Sequence, residues 1–173
     1  MSTPSPQAIQ DAIRLLESAI DDPRVILPEE IFLFISRLIP LANVDLLIKD
    51  DQGRTLLTWR DDLYFGPGWH IPGSTIRFKE RIADRVRACA RDELGAEVSF
   101  DPQPIHVQEV ILPEPERTTR GHCLALLYHC TLLTPPDPTS AYTSGTPSPG
   151  QWAWHAAPPE DLLPVHRVYE RFL

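Results

Sequence analysis

The chain has 173 residues, 42% of them hydrophobic, and a formal net charge of -8 at pH 7. This length and hydrophobic content suit one globular domain with its own core. The negative charge argues against a general nucleic-acid-binding protein, which needs a basic surface, but allows a small anionic ligand held by a few arginines or a divalent cation.

The cysteine pattern bears on the compartment. Cys89, Cys123 and Cys130 are odd in number and lack a CxxC spacing, which fits reduced thiols better than a disulfide framework. The first residues lack the basic start and apolar core of a signal peptide, and no stretch approaches the roughly 20 apolar residues of a membrane span. We therefore expect a cytoplasmic protein with no membrane or nucleic-acid partner.

Two amphipathic helices are predicted before the first strand. Between residues 5 and 20, apolar residues recur at steps of four, three and four on one helix face. They are Ile9, Ile13, Leu16 and Ile20. A second helix opens at residues 28–30, where a proline and two acids suit a first turn, and stops at Pro40. These helices either cap the domain or pair with a second copy in a homodimer.

The rest of the chain alternates between strand and helix patterns. Strands 43–48 and 54–60 flank the turn Asp50-Asp51-Gln52-Gly53, which predicts a hairpin. A helix over 80–94 ends at Gly95, a common C-terminal cap. Further strands are predicted at 69–71, 104–112, 121–133 and 151–155, and a terminal helix at 165–173. The long apolar strand 121–133 should be central, so the order predicts an α/β fold with a mixed sheet and packed helices.

The predicted domain organisation is simple. We expect an N-terminal helical extension at 1–28 and one globular unit at 29–173. Within that unit, residues 134–150 are rich in proline, serine and threonine, which predicts a mobile loop. Loops of this kind are either functional lids or disordered insertions.

The helix over 80–94 carries the candidate metal ligands. Glu93 lies near the helix C-terminus, where an acid is unfavourable unless it is paired or binds a cation. Asp92 is explained equally well as a solvated surface acid. Glu80 is interpreted as a capping acid at the helix start, and Cys89 as a small core residue. A zinc site built from Cys89, Asp92 and Glu93 would lack a histidine at helical spacing.

The motif Trp69-His70-Ile71-Pro72-Gly73, followed by Glu80 and by Asp92-Glu93-Leu94-Gly95, resembles the box of the Nudix hydrolases. That box places acids on adjacent helical turns, where they hold Mg²⁺ against a pyrophosphate. With the box anchored on Glu80, its last two acids match Asp92 and Glu93, and its closing glycine matches Gly95. The positions of its first glycine, its arginine and its first acid hold Ser74, Ala88 and Cys89.

Outside the box, the chain resembles the branch of GDP-mannose mannosyl hydrolases. The shared features are a helix and Pro-Leu turn before a strand with Asp45, a strand ending at Arg60, the turn after Trp69, and His122 at the start of the long strand. The resemblance implies a Nudix-type α/β/α sandwich with a mixed β-sheet and an added N-terminal helix.

The resemblance also implies a function and a cofactor. It implies a Mg²⁺-dependent (or Mn²⁺-dependent) hydrolase of a GDP-mannose-like nucleoside-diphosphate sugar, or of a related nucleoside diphosphate derivative. By carry-over, Gly73 and Glu93, with Asp92, would hold the metal, and Asp45 and Arg60 would bind the nucleotide. Arg60 alternatively pairs with a neighbouring aspartate.

The general base is not identified by the resemblance. The branch has a Gln-His pair in a late loop, whereas residues 146–151 contain no histidine here. His122, His155 and Glu109 are substitute candidates, and Glu114 and Glu116 are further ones. His122 and His129 are seven residues apart on one strand, so they face opposite sides of the sheet.

Two further alternatives stay open. Trp152 and Trp154 alternate with Gln151 and Ala153 and share one face, so they form either a core wall or a stacking platform that makes Trp154 a substrate-binding candidate. The competing function is a catalytically inactive Nudix-fold binding or regulatory module, because the box arginine, one acid and the loop histidine are all replaced.

Overall fold

The predicted pattern of strands and helices is largely present in the computed structural model, which describes residues 3–112 and 121–173. In this part of the chain, the α-helices are α1 (Pro6–Ser18), α2 (Glu29–Ser36) and α3 (Ile82–Leu94). The strands are β1 (Leu41–Ile48), β2 (Thr55–Asp62), β3 (Gly66–His70), β4 (Gly73–Thr75), β5 (Val98–Phe100), β6 (His106–Ile111), β7 (His122–Leu132) and β8 (Trp152–His155). Short 3₁₀ helices span Pro138–Ser140 and Pro164–Phe172. Glu114 and Glu116 lie outside the described residues.

The strands form two sheets. The larger sheet has the order β4-β1-β7-β5, and β6 also pairs with β7. Within it, β1 runs parallel to β7 and the other pairs are antiparallel. The smaller antiparallel sheet has the order β3-β2-β8. The mixed α/β architecture and the central position of the long apolar strand β7 are therefore confirmed.

The predicted hairpin between residues 43–48 and 54–60 is wrong. β1 pairs with β4 and β7, whereas β2 pairs with β3 and β8, so the two strands belong to different sheets. A single bridge, Lys49 to Thr55, connects their ends beside a turn in which Asp50 Oδ1 accepts the backbone N–H of Gln52. The turn chemistry suits either topology, and strands distant in sequence decide the pairing.

Element boundaries differ from the sequence prediction in a few places. The helix predicted over 80–94 begins at Ile82, and its cap at Gly95 is confirmed by a left-handed φ of 62°. The predicted terminal helix is present as a 3₁₀ helix over Pro164–Phe172. β4 and β5 were not predicted, because strands of three residues are too short to show an alternating pattern.

Helix α3 is held against the sheets by an apolar stripe. Val86, Ala90 and Leu94 recur every four residues and are buried. They pack in a core cluster with alternate β1 residues such as Leu46, while Leu47 on the other face of β1 joins a second cluster. The stripe fixes the helix against the sheet, and Glu93 in its last turn lies 3.5 Å from the Thr58 hydroxyl of β2.

The N-terminal helices differ in how much they bury. α1 buries none of its residues, and Ile9 and Ile13 are 47% and 48% exposed. α2 buries Ile31 and Ser36. Helix α1 therefore does not cap the core, but the division at residue 28 and the homodimer stay predictions. Between residues 3–112 and 121–173, no helix is long and apolar enough to cross a bilayer.

The segment 134–150 is attached to the domain at several points. The backbone N–H of Asp137 donates to Leu94 O at 2.8 Å, and Trp152 Nε1 donates to Asp137 O at 2.8 Å. Near its end, Gly150 N donates to Trp59 O at 2.9 Å. Its predicted mobility stays a prediction.

Candidate functional site

Gly73 and Asp45 face each other across β4 and β1. The ladder hydrogen bonds run from Leu46 N to Pro72 O at the neighbouring register position and from Ile76 N to Ala42 O three positions away. Hydrogen-bonded and non-bonded pairs alternate in an antiparallel ladder, so the peptide groups of Gly73 point away from β1, toward the sheet edge. A Cβ at position 73 would collide with Asp45 Oδ1, so the approach requires glycine.

Asp45 is a buried carboxylate, with 6% of its surface exposed. Its Oδ2 accepts a hydrogen bond from the hydroxyl of Tyr169 at 2.7 Å. Burial raises the pKa of Asp45 to about 6, although the Tyr169 hydrogen bond and the charge of Arg60 lower it. Near pH 6, the carboxyl group is therefore present in both its neutral and its charged form.

Glu93, Thr58 and His70 form a connected polar group at the end of α3. His70 Nδ1 donates to Ile71 O at 2.8 Å, so the neutral ring leaves Nε2 as an acceptor. The Thr58 hydroxyl lies 3.1 Å from that Nε2 and 3.5 Å from Glu93 Oε2, and its single proton serves one of them at a time. Burial raises the pKa of Glu93, and burial with the charge of Arg60 lowers the pKa of His70 to about 4.

Arg60 follows the buried part of β2, and its side chain is 32% exposed. Its Nε lies 2.8 Å from Asp62 Oδ2, which confirms pairing with a neighbouring aspartate, and its guanidinium carbon lies 5.3 Å from the centre of the Phe65 ring. Its positive charge lowers the pKa values of Glu93 and Asp45, against the effect of burial. Arg60 thus acts electrostatically on both candidate acids, Glu93 and Asp45.

Two cavities meet at Arg60, His70 and Glu93. The larger has a volume of about 880 Å³, and Asp45 and Gly73 also line it. The smaller, of about 300 Å³, lies between α3 and the late loop. Its other lining residues are Trp59, Asp61, Asp62, Asp92, Pro149 and Gly150. The structure therefore brings four of the predicted site residues to one cavity wall.

The sequence reasoning missed His70, His166 and Tyr169 as site residues. His166 and Tyr169 are three residues apart in the C-terminal 3₁₀ helix, and both line the larger cavity. The rings of His166 and His70 are 5.4 Å apart, and His166 Nδ1 is closed off with no hydrogen-bond partner among the described residues. Burial lowers the pKa of His166, so its ring is neutral near pH 7. The i, i+3 spacing of a histidine and a tyrosine was the available signal.

The three candidate general bases lie elsewhere. His122 Nε2 is 3.2 Å from Glu109 Oε1 on neighbouring strands. Cys123 lines the larger cavity, so the adjacent His122 projects from the opposite face of β7. His155 stacks against Trp69 with ring centres 4.6 Å apart. In the described part of the chain, none of the three lines either cavity, and their catalytic role stays a prediction.

Asp92 and Trp154 do not line the larger cavity either. The Asp92 side chain is 61% exposed, lies 3.9 Å from Arg85 and borders the smaller cavity. Trp154 packs against the core cluster of α3 together with Trp152, as expected of a core wall, and lines neither cavity. Their predicted roles in metal and substrate binding stay predictions.

Arg85 of α3 makes buried contacts with the segment that precedes the helix. Its side chain is 3% exposed and donates to Glu80 Oε1 at 2.9 Å and to Ser74 Oγ at 3.0 Å. Glu80 lies before the helix and accepts the backbone N–H of Arg77 through Oε2, so its interpretation as the helix cap is wrong. Arg81 is the N-cap, without a side-chain hydrogen bond. The Arg85–Glu80 pair holds the segment between β4 and α3 in place.

The donor groups fit a single Mg²⁺ better than a metal cluster. The Glu93 carboxylate is half-buried and, in the described residues, its hydrogen bond from Thr58 is long, at 3.5 Å. Mg²⁺ is commonly held by one or two carboxylates, with waters and substrate phosphates completing its shell. Within residues 3–112 and 121–173, no three His, Cys, Asp or Glu residues are grouped to hold a metal, and Cys89 is buried in the core.

Comparisons with curated proteins give one partial relative. No family model matches the chain. The low-salt glycan biosynthesis protein Agl8 of Haloferax volcanii is 31% identical over 81 residues, which cover 47% of this chain and 51% of that protein. The chain thus spans about half the length of the curated relative it matches.

Comparisons with solved structures identify the fold. A MutT protein from Methanosarcina mazei Go1 has a TM-score of 0.57 at 17% identity, with 77% of this chain and 93% of that chain covered. A MutT Nudix hydrolase from Burkholderia pseudomallei has a TM-score of 0.56 at 20% identity, with 78% and 98% covered. A UDP-X diphosphatase has a TM-score of 0.54 at 14% identity, with 98% and 80% covered. The chain therefore has the mixed α/β fold of Nudix hydrolases.

Proposed function

We propose that the chain is a member of the Nudix superfamily that hydrolyses a nucleoside diphosphate derivative. The observation that carries this proposal is the meeting of Glu93, Gly73, Asp45 and Arg60 on one cavity of about 880 Å³. A cavity of this size suits a ligand as large as a nucleotide derivative. The Nudix-hydrolase fold supports the same reading by analogy.

The metal-binding part of the site would be Glu93 and the carbonyl of Gly73. Asp92, next to Glu93 and bordering the smaller cavity, is the further candidate ligand. Mg²⁺ (or Mn²⁺) bound there would neutralise the charge of the diphosphate. The Glu93 carboxylate is half-buried, and this burial strengthens its electrostatic attraction for a cation.

The nucleotide-binding part would be Arg60 and Asp45. Arg60 presents a permanent cation at the junction of the two cavities, where it would meet the diphosphate. Its bond to Asp62 holds the guanidinium in place. Asp45, fixed by Tyr169, offers its Oδ1 side to the cavity next to Gly73 and would accept a hydroxyl or N–H of the ligand.

A nucleoside-diphosphate sugar of the GDP-mannose type is the finer form of this proposal. Its support is the pattern of small motifs around Asp45, Arg60 and Trp69 that resembles the mannosyl hydrolase branch. The partial likeness to a glycan biosynthesis protein is consistent with a sugar-linked substrate. Cleavage at the sugar carbon would release free sugar and an intact nucleoside diphosphate.

A catalytically inactive binding module is the second candidate. It is favoured by Cys89, which replaces a box acid and is buried in the core, and by the distance of His122, Glu109 and His155 from the cavities. Such a module would bind a nucleoside diphosphate derivative without turnover. The two candidates therefore share a ligand class and differ in whether product forms.

A hydrolysis panel tests the proposal. Nucleotide sugars, dinucleotide cofactors and nucleoside triphosphates are incubated with Mg²⁺ and the wild-type chain, Glu93→Gln or Leu15→Gln. Leu15 is 72% exposed on α1, away from both cavities, and controls for preparation effects. Turnover of a nucleoside diphosphate derivative that Glu93→Gln lowers by about 100-fold or more supports the hydrolase. Binding of such a compound with no product supports the inactive module.

A further inference from the structure

The larger cavity extends well beyond its polar residues. At about 880 Å³ it is larger than a diphosphate requires, and its far end is walled by the segment that joins α1 to β1. Apolar side chains dominate that wall: Ile20, Val25, Ile26, Phe32, Ile35 and Ile39. The cavity therefore has a polar end at Glu93 and an apolar end under residues 20–39.

A polar pair lies between these two ends. Asn43 on β1 and Thr75 on β4 are directly opposite each other in the register, and both line the larger cavity. The Thr75 hydroxyl donates to Asn43 Oδ1 at 2.9 Å. With the amide oxygen engaged in this way, Nδ2 keeps two N–H donors for another partner.

The pair has a defined distance from the proposed diphosphate site. Asn43 and Thr75 are each two residues along their strands from Asp45 and Gly73, on the same face of the sheet. Two residues of a strand span roughly 7 Å. That separation suits the step from a bound phosphate across a ribose to its base.

We propose that Asn43, Thr75 and the apolar wall of residues 20–39 form a nucleobase subsite, an inference that rests on the proposed function for the diphosphate end. The base packs between the apolar wall and the sheet, and its polar edge accepts an N–H of Asn43. An aliphatic chain would pack equally well against the apolar wall. It would leave the N–H donors of Asn43 without a hydrogen-bond partner, so a nucleobase is the favoured ligand. The subsite selects the nucleoside without touching the bond that breaks.

The test is isothermal titration calorimetry in Mg²⁺ with GDP, UDP, ADP, geranyl diphosphate and inorganic pyrophosphate. Asn43→Leu replaces the amide by an apolar group with the same branching, and Gln52→Leu likewise removes an amide in an exposed turn outside both cavities. We expect the preferred nucleoside diphosphate to bind Asn43→Leu about threefold to tenfold more weakly, because one hydrogen bond is lost. Pyrophosphate should bind both variants like the wild type.

A second pair of variants tests the wall without risk to the fold. Ile26 is 82% exposed although it lines the cavity, and Leu15 is 72% exposed and lies outside it. Ile26→Ser should weaken the nucleoside diphosphate and leave pyrophosphate unchanged, whereas Leu15→Ser should change neither. An equal loss of pyrophosphate affinity in the Asn43 or Ile26 variants would overturn the subsite.

The other outcomes are also decisive. Nucleoside diphosphates that bind no more tightly than pyrophosphate, or geranyl diphosphate binding more tightly than all of them, would reject a base at this end. Selective binding that depends on Asn43 but yields no product in the hydrolysis panel would keep the subsite and reject the enzyme. If Asn43→Leu turns over the substrate with an unchanged KM, the proposed enzyme activity stands and the proposed nucleobase subsite is rejected.

Discussion

The hydroxyl of Tyr169 donates a 2.7 Å hydrogen bond to Asp45 Oδ2, although 124 residues separate them in the chain. The bond joins the C-terminal 3₁₀ helix to the first strand of the larger sheet. On its other side, Asp45 lies against Gly73. The C-terminal segment is therefore part of the wall that shapes the candidate site.

Removal of this hydroxyl should destabilise the protein. Tyr169→Phe leaves the buried Asp45 carboxylate without its donor, and we expect a loss of about 1–3 kcal/mol in the free energy of unfolding. Tyr142→Phe is the matched control, because its hydroxyl donates to Gly145 O at 2.8 Å in an exposed position. Urea titrations at pH 7.5 measure both. Equal losses in the two variants would contradict the special role of the Asp45 contact.

The buried Asp45 should also shape the pH dependence of stability. Burial raises its pKa from 3.8 to about 6, so the folded protein binds this proton more tightly than the unfolded chain. Its favourable contribution is complete below about pH 4 and is lost as pH rises through about 6. His70 has the opposite effect on stability, because burial lowers its pKa to about 4 in the folded protein. Between about pH 4 and 6.5 the unfolded chain binds the His70 proton more tightly, so this contribution to stability grows as the pH rises.

Asp45→Asn separates these two effects. Asparagine can still accept the Tyr169 hydrogen bond but does not ionise. The free energy of unfolding of the variant should therefore rise relative to that of the wild type, by up to about 3 kcal/mol, between pH 4.5 and pH 8. Urea titrations across this range, without added metal, give the difference. A difference that stays constant with pH would show that Asp45 has no raised pKa. We expect the same variant to bind nucleoside diphosphates more weakly.

The Arg85–Glu80 pair should be essential to the segment before α3. Arg85→Met removes a cation whose side chain is 3% exposed and leaves Glu80 unpaired, and we expect a loss of about 3 kcal/mol or more in the free energy of unfolding. Arg87→Met makes the same change at a side chain that is 54% exposed and should cost less than about 1 kcal/mol. Thermal and urea unfolding compare the two. If adding Glu80→Gln to Arg85→Met restores nothing, the pair is not the cause.

The parts of the fold that follow from local chemistry were predictable. The turn before Gly73, the helix that ends at Gly95 and the central β7 each carry a local signal: glycine, a helical period or a long apolar run. The placement of β1 and β2 in different sheets was not predictable. The Asp50 turn is compatible with two topologies, and pairing with β7 and β8 decides between them.

The candidate site was predictable only in part, for the same reason. Glu93, Gly73, Asp45 and Arg60 came from short motifs, and the structure brings all four to one cavity. His166 and Tyr169 reach that cavity by packing of the C-terminus against β1, which no short motif encodes. Conversely, Glu109 and His122 share a strand pair, but the side of the sheet that they face is set by the register with β7.

The central claim is that the cavity at Glu93 is a divalent-metal and diphosphate site. Its most direct test is the melting temperature of the wild type, Glu93→Gln and Asp92→Asn, with millimolar Mg²⁺ and GDP added singly and together. We predict that Mg²⁺ with GDP raises the melting temperature of the wild type and that Glu93→Gln abolishes the metal-dependent part of this rise. Asp92→Asn, at the exposed further candidate ligand, should lower that part less than Glu93→Gln does. A wild type that shows no metal-dependent rise, or a rise that survives Glu93→Gln, would contradict the account.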